Sequence, residues 1–297
     1  MKIGLGTVQF GVDYGVSNKD GKTPAGEVAS ILMAARDSKV RVLDTASLYG
    51  DSEQVLGNCL PAAAGFDIVT KTPQFAKPVL DADDAKRLQQ AFHESLIKLK
   101  CDSLYGLLIH RADDLFVPGG ERLMAVLTGL KQQGLVAKIG VSVYNAEQID
   151  QVLDRFAIDL VQLPISVLDQ RLLRSGHLRK LKSAGIEVHA RSVFLQGLLL
   201  MDLSEIPAYF APVRNILESY HQFIRARGLT PLQAALGFVS GLSEIDRIIC
   251  GVNNVQQLRD ICNAADIELD CAEFAEFAIG EEAMVNPALW RLEPGKP

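Results

Sequence analysis

The sequence has few of the features that would tie it to the cell exterior or to nucleic acid. It has five cysteines among 297 residues, at irregular spacings without a Cys-x-x-Cys pair, which argues against a disulfide framework and against a zinc or dithiol site. Its 30 lysine and arginine residues are outnumbered by 36 aspartate and glutamate residues. Because no dense basic run offsets the net charge of −6, we expect no nucleic-acid partner.

Long apolar runs are missing too. No uninterrupted apolar stretch approaches the roughly twenty residues that span a bilayer, and the N-terminus lacks a basic region followed by an apolar signal core. We therefore expect a cytoplasmic protein with reduced thiols, a small-molecule ligand and no membrane partner.

What the sequence does have is an alternation of apolar, strand-like runs with amphipathic helical stretches, which is typical of parallel strands joined by crossover helices. Eight such units predict a (β/α)8 TIM barrel of the α/β class. A length of 297 residues with 48% hydrophobic content fits a single domain over residues 1–297. The predicted strands are 2–6, 41–45, 67–71, 104–110, 137–142, 159–163, 186–191 and 246–250. The predicted helices are 24–38, 52–60, 83–100, 120–133, 145–156, 170–184, 230–240 and 254–265.

One long segment interrupts this alternation. Residues 192–229 separate the seventh strand from its helix and include a helical piece near 211–227. Long insertions at the mouth of a barrel usually shape a ligand site. We therefore expect the segment after strand seven to border the functional site.

Polar side chains end three successive predicted strands. Asp44 ends the second strand and Tyr49 follows five residues later, while the third strand ends in Lys71 and the fourth in His110. Taken singly, these residues have plainer interpretations: a cap, a packed aromatic ring, a solvated charge and a hydrogen-bonded core histidine. Since the catalytic groups of a barrel lie at the carboxyl ends of its strands, their joint occurrence predicts a shared site.

The four residue types are chemically complementary. A phenol with a pKa of about 10 exchanges protons poorly near neutral pH unless its surroundings stabilise the phenolate. A lysine ammonium beside Tyr49 would do so, and Asp44 would keep Lys71 charged in a partly dehydrated cleft. A neutral His110 imidazole could hold a carbonyl oxygen in line with the phenol.

On these residues the chain resembles the aldo-keto reductase superfamily. The stretch Asp44-Thr-Ala-Ser-Leu-Tyr-Gly50 matches the motif Asp-Thr-Ala-x-x-Tyr-Gly, and Thr70-Lys71 and Leu108-Ile-His110 match the strand ends that follow it. The likeness runs from Gly4-Leu-Gly-Thr7 to Gly251 and the helix beyond. It implies NAD(P)H-dependent reduction of an aldehyde or ketone. The catalytic residues that it implies are Tyr49, Lys71, Asp44 and His110.

The resemblance also implies where a nicotinamide cofactor binds. Ser192-Val-Phe-Leu-Gln-Gly197 falls at the family's pyrophosphate loop, and Gly251-Val-Asn-Asn254 at the loop that holds the adenosine 2′-phosphate. A barrel commonly binds phosphate through these loops, which follow its seventh and eighth strands. A Rossmann site is not expected, because Gly4-Leu-Gly-Thr-Val-Gln9 lacks the third glycine. The implied cofactor-binding residues are Thr7, Ser142, Gln162, Arg191, Ser192, Phe194, Gln196, Gly197, Gly251, Asn253, Asn254 and Gln257.

The chain departs from the family pattern at both ends of the cofactor. Arg191 stands where an aromatic residue often stacks on the nicotinamide. A stacked Arg191 would disfavour the oxidised ring relative to the reduced one; the alternative is that it pairs with a carboxylate. At the adenine end the chain offers Asn253, Asn254, Gln257 and Arg259 where many members place Lys or Arg, and Ile261 where they place Asn. The resemblance still favours NADPH as cofactor, with NADH as the alternative.

The resemblance further describes the mouth of the barrel. In the family the C-terminal segment folds over the substrate, so Trp290 is expected either as a pocket wall or packed on the barrel flank. Arg111 and Arg191 are near enough in sequence to meet an anionic or sugar-like substrate. The family's commoner habit predicts a monomer, with a weak homo-oligomer as the alternative. The expected lining of the mouth is Val8, Phe10, Tyr49, His110, Tyr144, Phe194 and Trp290.

Two other functions fit the same residues. A nicotinamide-binding redox sensor or accessory subunit would keep the barrel but show little turnover. A barrel isomerase or lyase would use Lys71 as a Schiff base, but such a lysine needs a lowered pKa, whereas Asp44 would hold it charged. The sequence shows no added domain or exposed interaction segment of the kind a dedicated subunit would need, and we therefore expect the enzyme.

Overall fold

The computed structural model describes residues 1–60 and 65–292. Eight strands in this part of the chain run parallel and pair in sequential order until β8 meets β1, so the sheet closes into a barrel. The predicted (β/α)8 barrel is confirmed, and every predicted strand overlaps an observed one. The strands are β1 (Ile3–Gly6), β2 (Val42–Asp44), β3 (Asp67–Lys71), β4 (Leu104–Ile109), β5 (Val136–Ser142), β6 (Leu160–Pro164), β7 (Glu187–Arg191) and β8 (Arg247–Gly251).

Helices connect the strands. The α-helices of the described ranges are α1 (Val8–Gly11), α2 (Ala25–Asp37), α3 (Ser52–Cys59), α4 (Ala82–Leu99), α5 (Glu121–Gln132), α6 (Ala146–Arg155), α7 (Arg171–Arg174), α8 (His177–Ser183), α9 (Arg214–Ala226), α10 (Pro231–Ser240), α11 (Val255–Ala264) and α12 (Glu282–Val285). The predicted helix 170–184 is observed as two, α7 and α8, because Gly176 between them has a left-handed φ of 78°. Within residues 1–60 and 65–292, no helix combines the length and the apolar character that crossing a bilayer requires.

The strands are apolar because both faces of the closed sheet are covered. Five side chains from strands that are not all neighbours pack together, so they meet in the barrel interior: Val42, Val69, Leu108, Leu160 and Ile249. A second, larger cluster of buried side chains joins the strands to the surrounding helices. Close packing of this kind fixes the strand ends, and therefore the polar residues that stand on them.

Side-chain caps fix the helix starts that follow the strand ends. Asn145 begins α6 by accepting a hydrogen bond from the backbone N–H of Gln148 at 2.9 Å. Thr230 forms a capping box with Gln233 at the start of α10, just before a proline that favours the first helical position. The loops between strand end and helix are therefore held at both sides.

The segment after β7 contains short 3-10 turns followed by α9, which confirms the predicted helix near 211–227. The C-terminal part of the chain packs on this segment. Trp290 meets Phe210 edge-on with ring centroids 4.9 Å apart, and the Tyr209 hydroxyl donates to the Ala283 carbonyl at 3.0 Å. The end of the predicted C-terminal segment, 293–297, lies outside the described residues.

Candidate active site

A cavity of about 530 Å³ lies at the carboxyl ends of the strands. All eight strands contribute to its lining, each through a residue at, beside or near its carboxyl end. Because the strands are parallel, their ends meet on one face of the barrel, which is where barrel enzymes place their chemistry. These residues are Gly6, Asp44, Lys71, His110, Ser142, Gln162, Arg191 and Gly251.

Lys71 and Asp44 form a buried ion pair in the wall of this cavity. The Lys71 Nζ lies 2.7 Å from Asp44 Oδ1, and the two side chains are 1% and 5% exposed. Lys71 also donates to the Thr45 carbonyl at 2.9 Å, and Gln162 donates to the second Asp44 oxygen at 2.7 Å. Burial alone would lower the pKa of Lys71. The negative charge of Asp44, together with the contacts of Lys71 to the Asp44 carboxylate and the Tyr49 hydroxyl, raises this pKa above its usual value instead. The ammonium is therefore charged at neutral pH.

Tyr49 is half-buried beside this pair. The Lys71 Nζ lies 5.1 Å from the centroid of the Tyr49 ring. The loop that carries the tyrosine follows β2 and is held by the Ser47 hydroxyl, which donates to the Lys71 carbonyl at 3.0 Å. A Cβ at Gly11 would lie 1.7 Å from the Tyr49 carbonyl oxygen, so a glycine in α1 is what allows the loop to approach so closely. The structure thus brings Tyr49, Lys71 and Asp44 together, as the sequence predicts.

His110 completes the group predicted at the strand ends. Its ring meets the Tyr49 ring edge-on, with centroids 6.0 Å apart and an interplanar angle of 85°. Burial, reinforced by the positive charges of Lys71 and Arg191, lowers the pKa of His110 to about 3. The imidazole is therefore neutral near pH 7, as its predicted role in orienting a carbonyl requires. Its Nδ1 is buried and has no hydrogen-bond partner within the described residues.

Arg191 lies in the cavity wall, and its stacking on a nicotinamide stays a prediction. Its guanidinium stacks on the Tyr144 ring, with Cζ 4.2 Å from the centroid. It donates to the Val143 carbonyl at 3.1 Å and more weakly to the Ser192 hydroxyl at 3.4 Å. The expected pairing with a carboxylate is wrong, because no carboxylate of the described residues forms an ion pair with it. Tyr144 and a backbone carbonyl fix its position instead.

The residues implied for the cofactor mostly line the same cavity. The exception is Asn254, whose side chain accepts from the Gln257 backbone N–H at 2.9 Å and caps α11. A helix that begins at Val255 needs this cap, so the amide turns to the helix and away from the cavity. The loop after β7 turns sharply, with left-handed φ angles at Ser192, Gln196 and Gly197. The implied residues that line the cavity are Thr7, Ser142, Gln162, Arg191, Ser192, Phe194, Gln196, Gly197, Gly251, Asn253 and Gln257.

Three residues expected at the mouth are absent from its lining. Phe10 is fully buried in the core, because α1 turns its apolar side inward. Arg111 bends towards Asp113 and Asp114, with N–O distances of 3.8 and 3.9 Å. Trp290 packs on the segment after β7, which corresponds to its predicted alternative. The expected lining residues Val8, Tyr49, His110, Tyr144 and Phe194 do border the cavity.

The loop of residues 12–23 was missed as part of the site. It crosses to the loop after β7, where Val16 donates its backbone N–H to the Gln196 carbonyl at 2.9 Å. The Gln196 side chain in turn donates to the Tyr14 hydroxyl at 3.2 Å, and Asn253 donates to the Asn18 side chain. The unusual length of this polar stretch between a strand and its long helix was the signal that could have identified it. It adds Tyr14, Gly15, Ser17 and Asn18 to the cavity lining.

Comparison with known proteins identifies a family and a fold. The family model described as Aldo/keto reductase family matches residues 2–280. Among solved structures, the aldo-keto reductase AKR11C1 from Bacillus halodurans, in its holo form, has a TM-score of 0.73 at 18% sequence identity. The alignment covers 97% of this chain and 93% of that one, and it supports the fold alone. The resemblance inferred from the motifs is thereby confirmed.

Curated relatives are similar either over part of the chain or at low identity. The 6-dehydroglucose reductase of Novosphingobium aromaticivorans is 33% identical over 142 residues, which is 44% of this chain and 46% of that protein. The match therefore spans less than half the length of that relative. The NADH-specific methylglyoxal reductase of Escherichia coli is 24% identical over 304 residues, which is 92% of this chain and 92% of that protein.

Proposed function

The chain belongs to the aldo/keto reductase family, and on this premise we propose that it reduces an aldehyde or ketone to an alcohol with a reduced nicotinamide dinucleotide. One observation carries the proposal: a half-buried phenol stands beside a charged, buried Lys71–Asp44 pair and a neutral imidazole in one cavity. The raised pKa of Lys71 and the lowered pKa of His110 give an ammonium and a neutral imidazole beside the phenol, the two partners that carbonyl reduction needs there.

Tyr49 is proposed to give a proton to the carbonyl oxygen. As the phenol loses its proton, the adjacent Lys71 ammonium stabilises the phenolate, and Asp44 keeps that ammonium charged although it is buried. The neutral His110 would donate a hydrogen bond to the same carbonyl oxygen and hold it in line with the phenol. General acid catalysis of this kind contributes about 10²–10⁴-fold to the rate.

The residues around this group fit a nicotinamide dinucleotide. When bound, the reduced nicotinamide supplies the hydride, which no side chain can provide. The Ser142 hydroxyl and the Gln162 amide line the cavity and would hold a carboxamide. The sharply turning loop from Ser192 to Gly197 borders the cavity and would hold the pyrophosphate.

The two rival functions have less support. A Schiff-base mechanism needs an uncharged lysine, whereas Lys71 is held charged by Asp44 and its pKa is raised. A redox sensor with little turnover would keep the same residues, so the convergence of Tyr49, Lys71 and His110 on one cavity fits both functions. The enzyme has the better support because the curated relatives are named as reductases.

The substrate is proposed to be a small carbonyl compound, including sugar-like ones. Relatives named as methylglyoxal reductases and a 6-dehydroglucose reductase act on such compounds by name. Arg191 lies within the cavity wall with guanidinium N–H groups beyond its contacts to Val143 and Ser192, so it could meet a hydroxyl or an anionic group. We also propose that residues 1–297 act as one domain and as a monomer.

The test is a screen of purified protein for oxidation of NADH and NADPH with aldehydes, ketones, aldoses and keto-sugars. Sustained, substrate-dependent oxidation with at least one carbonyl supports the proposal. Product in amounts no larger than the protein, with no further turnover across the whole panel, would favour the sensor. Trapping of substrate on Lys71 by borohydride would favour the Schiff base.

A further inference from the structure

The first turn of α3 begins directly after the loop that carries Tyr49. Its first two residues, Ser52 and Glu53, are 0% and 2% exposed, and they do not line the cavity. Neither side chain serves its own helix, because α3 begins after Asp51 without a side-chain cap. Buried polar side chains require hydrogen-bond partners. Both of these side chains find them at the ends of the strands.

Ser52 ties the Tyr49 loop to the ends of β1 and β2. Its backbone N–H donates to the Tyr49 carbonyl at 3.0 Å, and its hydroxyl donates to the Thr7 carbonyl at 2.8 Å. Thr7 in turn donates to the Asp44 carbonyl from its backbone N–H and from its hydroxyl, each at 3.0 Å. A short series of hydrogen bonds thus connects the backbone of Tyr49 to the backbone of Asp44.

The same hydroxyl reaches the residue that anchors Lys71. The Ser52 Oγ lies 3.2 Å from the Thr45 Oγ1, and the Thr45 carbonyl accepts from the Lys71 Nζ at 2.9 Å. Thr45 and Thr7 are both fully buried, so bulk water does not compete for these hydrogen bonds. The Ser52 hydroxyl therefore joins the supports of the phenol, the carboxylate and the ammonium.

Glu53 holds the strand that carries Lys71. Its Oε1 accepts from the Thr70 hydroxyl at 2.7 Å, and Thr70 directly precedes Lys71 in β3. Because successive side chains of a strand point to opposite faces, Glu53 holds β3 from behind while Lys71 faces the cavity. The second oxygen of Glu53 is buried and makes no hydrogen bond to residues 1–60 or 65–292. An unpaired buried oxygen costs free energy, so the bond to Thr70 is the polar contact that this side chain contributes.

Resting on the proposed function, we propose that Ser52 and Glu53 are positioning residues for the reduction. We call these two side chains the α3 clamp. The Lys71 Nζ lies 5.1 Å from the centroid of the Tyr49 ring, and the clamp fixes the backbone on both sides of this contact. A displacement of about 1 Å in a reacting group can lower a rate by about 10²-fold. Because the clamp lies outside the cavity lining, loosening it should slow the chemical step and leave substrate binding intact.

Ser52→Ala removes the hydroxyl and tests the clamp in the full chain. Single-turnover experiments with bound reduced cofactor and the best carbonyl of the screen give a rate constant, which reports the chemical step, and an amplitude, which counts active molecules. We expect the rate constant to fall by about 10- to 10²-fold, with the amplitude and the KM for the carbonyl unchanged. A merely structural role would lower the amplitude and leave the rate constant as it is.

Ser166→Ala is the matched control for this substitution. Ser166 is also 0% exposed, and its hydroxyl accepts from the Asp169 backbone N–H at 3.0 Å. It lies outside the cavity lining and makes no contact with the α3 clamp. Its loss should therefore leave the rate constant unchanged. An equal fall in both variants would mean that any lost buried hydroxyl slows the reaction, which would overturn the proposal.

The Glu53 arm of the clamp has its own conservative variant. Thr70→Val removes the donor to Glu53 with little change in volume and should lower the rate constant as Glu53→Ala does. Combining the two should add little, because both delete the same hydrogen bond. Glu53→Gln keeps an oxygen that can accept from Thr70, so it should recover most of the rate lost in Glu53→Ala. Failure of this recovery would refute the assigned contact.

Hydrogen exchange tests the clamp without any need for turnover. The backbone N–H groups of Thr45, Ser47 and Tyr49 are hydrogen-bonded in the loop, so their exchange in the whole protein reports local opening. Ser52→Ala should speed this exchange by up to about tenfold, and Ser166→Ala should not.

The two readouts separate this inference from the proposed function. Absence of turnover in the wild type would refute the reductase, and the exchange would then decide whether the clamp holds the loop of Tyr49. Unchanged exchange in Ser52→Ala would overturn the clamp. Faster exchange with an unchanged rate constant would overturn its role in the reduction, since the clamp would then hold the loop without affecting the chemistry.

Discussion

The barrel carries the same four functional groups at its two ends, a carboxylate, a phenol, an ammonium and an imidazole, with opposite consequences. The upper tetrad is Asp44, Tyr49, Lys71 and His110, at the carboxyl ends of the strands. The lower tetrad is Tyr105, Lys138, Glu187 and His189, near the starts of β4, β5 and β7. Each tetrad has a lysine paired with a carboxylate, yet only the upper one borders the cavity.

In the lower tetrad the carboxylate forms hydrogen bonds with all three of the other side chains. Glu187 accepts hydrogen bonds from the Tyr105 hydroxyl at 2.7 Å, from His189 at 2.7 Å and from Lys138. Burial would raise the pKa of Glu187, but the hydrogen bonds from His189, Lys138 and Tyr105 lower it well below its usual value. Burial would lower the pKa of Lys138, and the bond to Glu187 raises it to about 12. The Tyr105 hydroxyl is therefore engaged in a structural hydrogen bond to Glu187.

In the upper tetrad the carboxylate leaves the phenol free. Asp44 accepts a hydrogen bond from Lys71 on one oxygen and from Gln162 on the other. Tyr49 makes no hydrogen bond to this carboxylate among the described residues, and it borders the cavity. The comparison teaches that residue types do not define a catalytic group. What matters is which member of the group the carboxylate binds and which one remains open to a ligand. This fits the general pattern that barrel enzymes use one face for chemistry and the other for stability.

The largest effect expected from this difference is on turnover. Tyr49→Phe should lower kcat/KM by about 10²–10⁴-fold, because it removes the proposed proton donor. Tyr105→Phe is the matched control: it removes the same hydroxyl from the lower tetrad and should change kcat/KM by less than about twofold. Steady-state rates with the best carbonyl from the screen measure both. Full turnover by Tyr49→Phe would contradict the proposed role.

The next effect is on folding stability. Lys71→Met leaves Asp44 charged, buried and without its cation, so the free energy of unfolding should fall by about 3–5 kcal/mol in urea titrations. Lys138→Met should cost less, because Lys138 is 34% exposed and water can reach the partner it leaves behind. A double variant, Lys71→Met with Asp44→Asn, should recover most of the stability but none of the activity. Recovery of activity in the double variant would show that the pair is not required for catalysis.

Glu187→Gln, in the lower tetrad, should lower the stability of the fold without changing catalysis. We expect a loss of about 1–3 kcal/mol in the free energy of unfolding at pH 7, with kcat unchanged. The folded-state pKa of Glu187 is lowered below the unfolded value of about 4.3, so its contribution is present above that pH and lost as the pH falls below it. The gap between wild type and variant should therefore narrow towards pH 3. A gap that stays constant with pH would contradict the ionised carboxylate.

The upper tetrad could be predicted from the sequence because its members follow short apolar runs. Asp44, Lys71 and His110 each end such a run, and parallel strands bring their ends together without any knowledge of loop geometry. The lower tetrad depends on a contact between Tyr105 and Glu187, 82 positions apart, and polar residues near a strand start carry no comparable signal. Its existence could be seen only once the register of the strands was known.

Loops set the other limit on prediction. The crossing of residues 12–23 depends on backbone hydrogen bonds to Gln196, and backbone groups are the same in every sequence. The resemblance assigns Asn254 to the cofactor as part of the loop after β8, whereas in the structure its amide caps α11; a family motif does not say which side chain of a loop a neighbouring helix requires. Trp290 was placed by the resemblance, whereas its partner Phe210 lies in a long segment whose path no pattern predicts.

The smallest expected effect is on the pH profile. The pKa of His110 is lowered to about 3 by burial and by the charges of Lys71 and Arg191, so its imidazole stays neutral throughout the range in which a free histidine, with a pKa of about 6.5, would titrate. Between pH 5 and 8, the wild-type kcat/KM should therefore show no fall towards low pH that depends on His110, and the profile of His110→Gln should have the same shape. Rates of both proteins across this range measure it. A wild-type limb with a midpoint near 6.5 that disappears in the variant would contradict the lowered pKa, because it would mean that the His110 imidazole gains a proton within this range and is a cation at its acidic end.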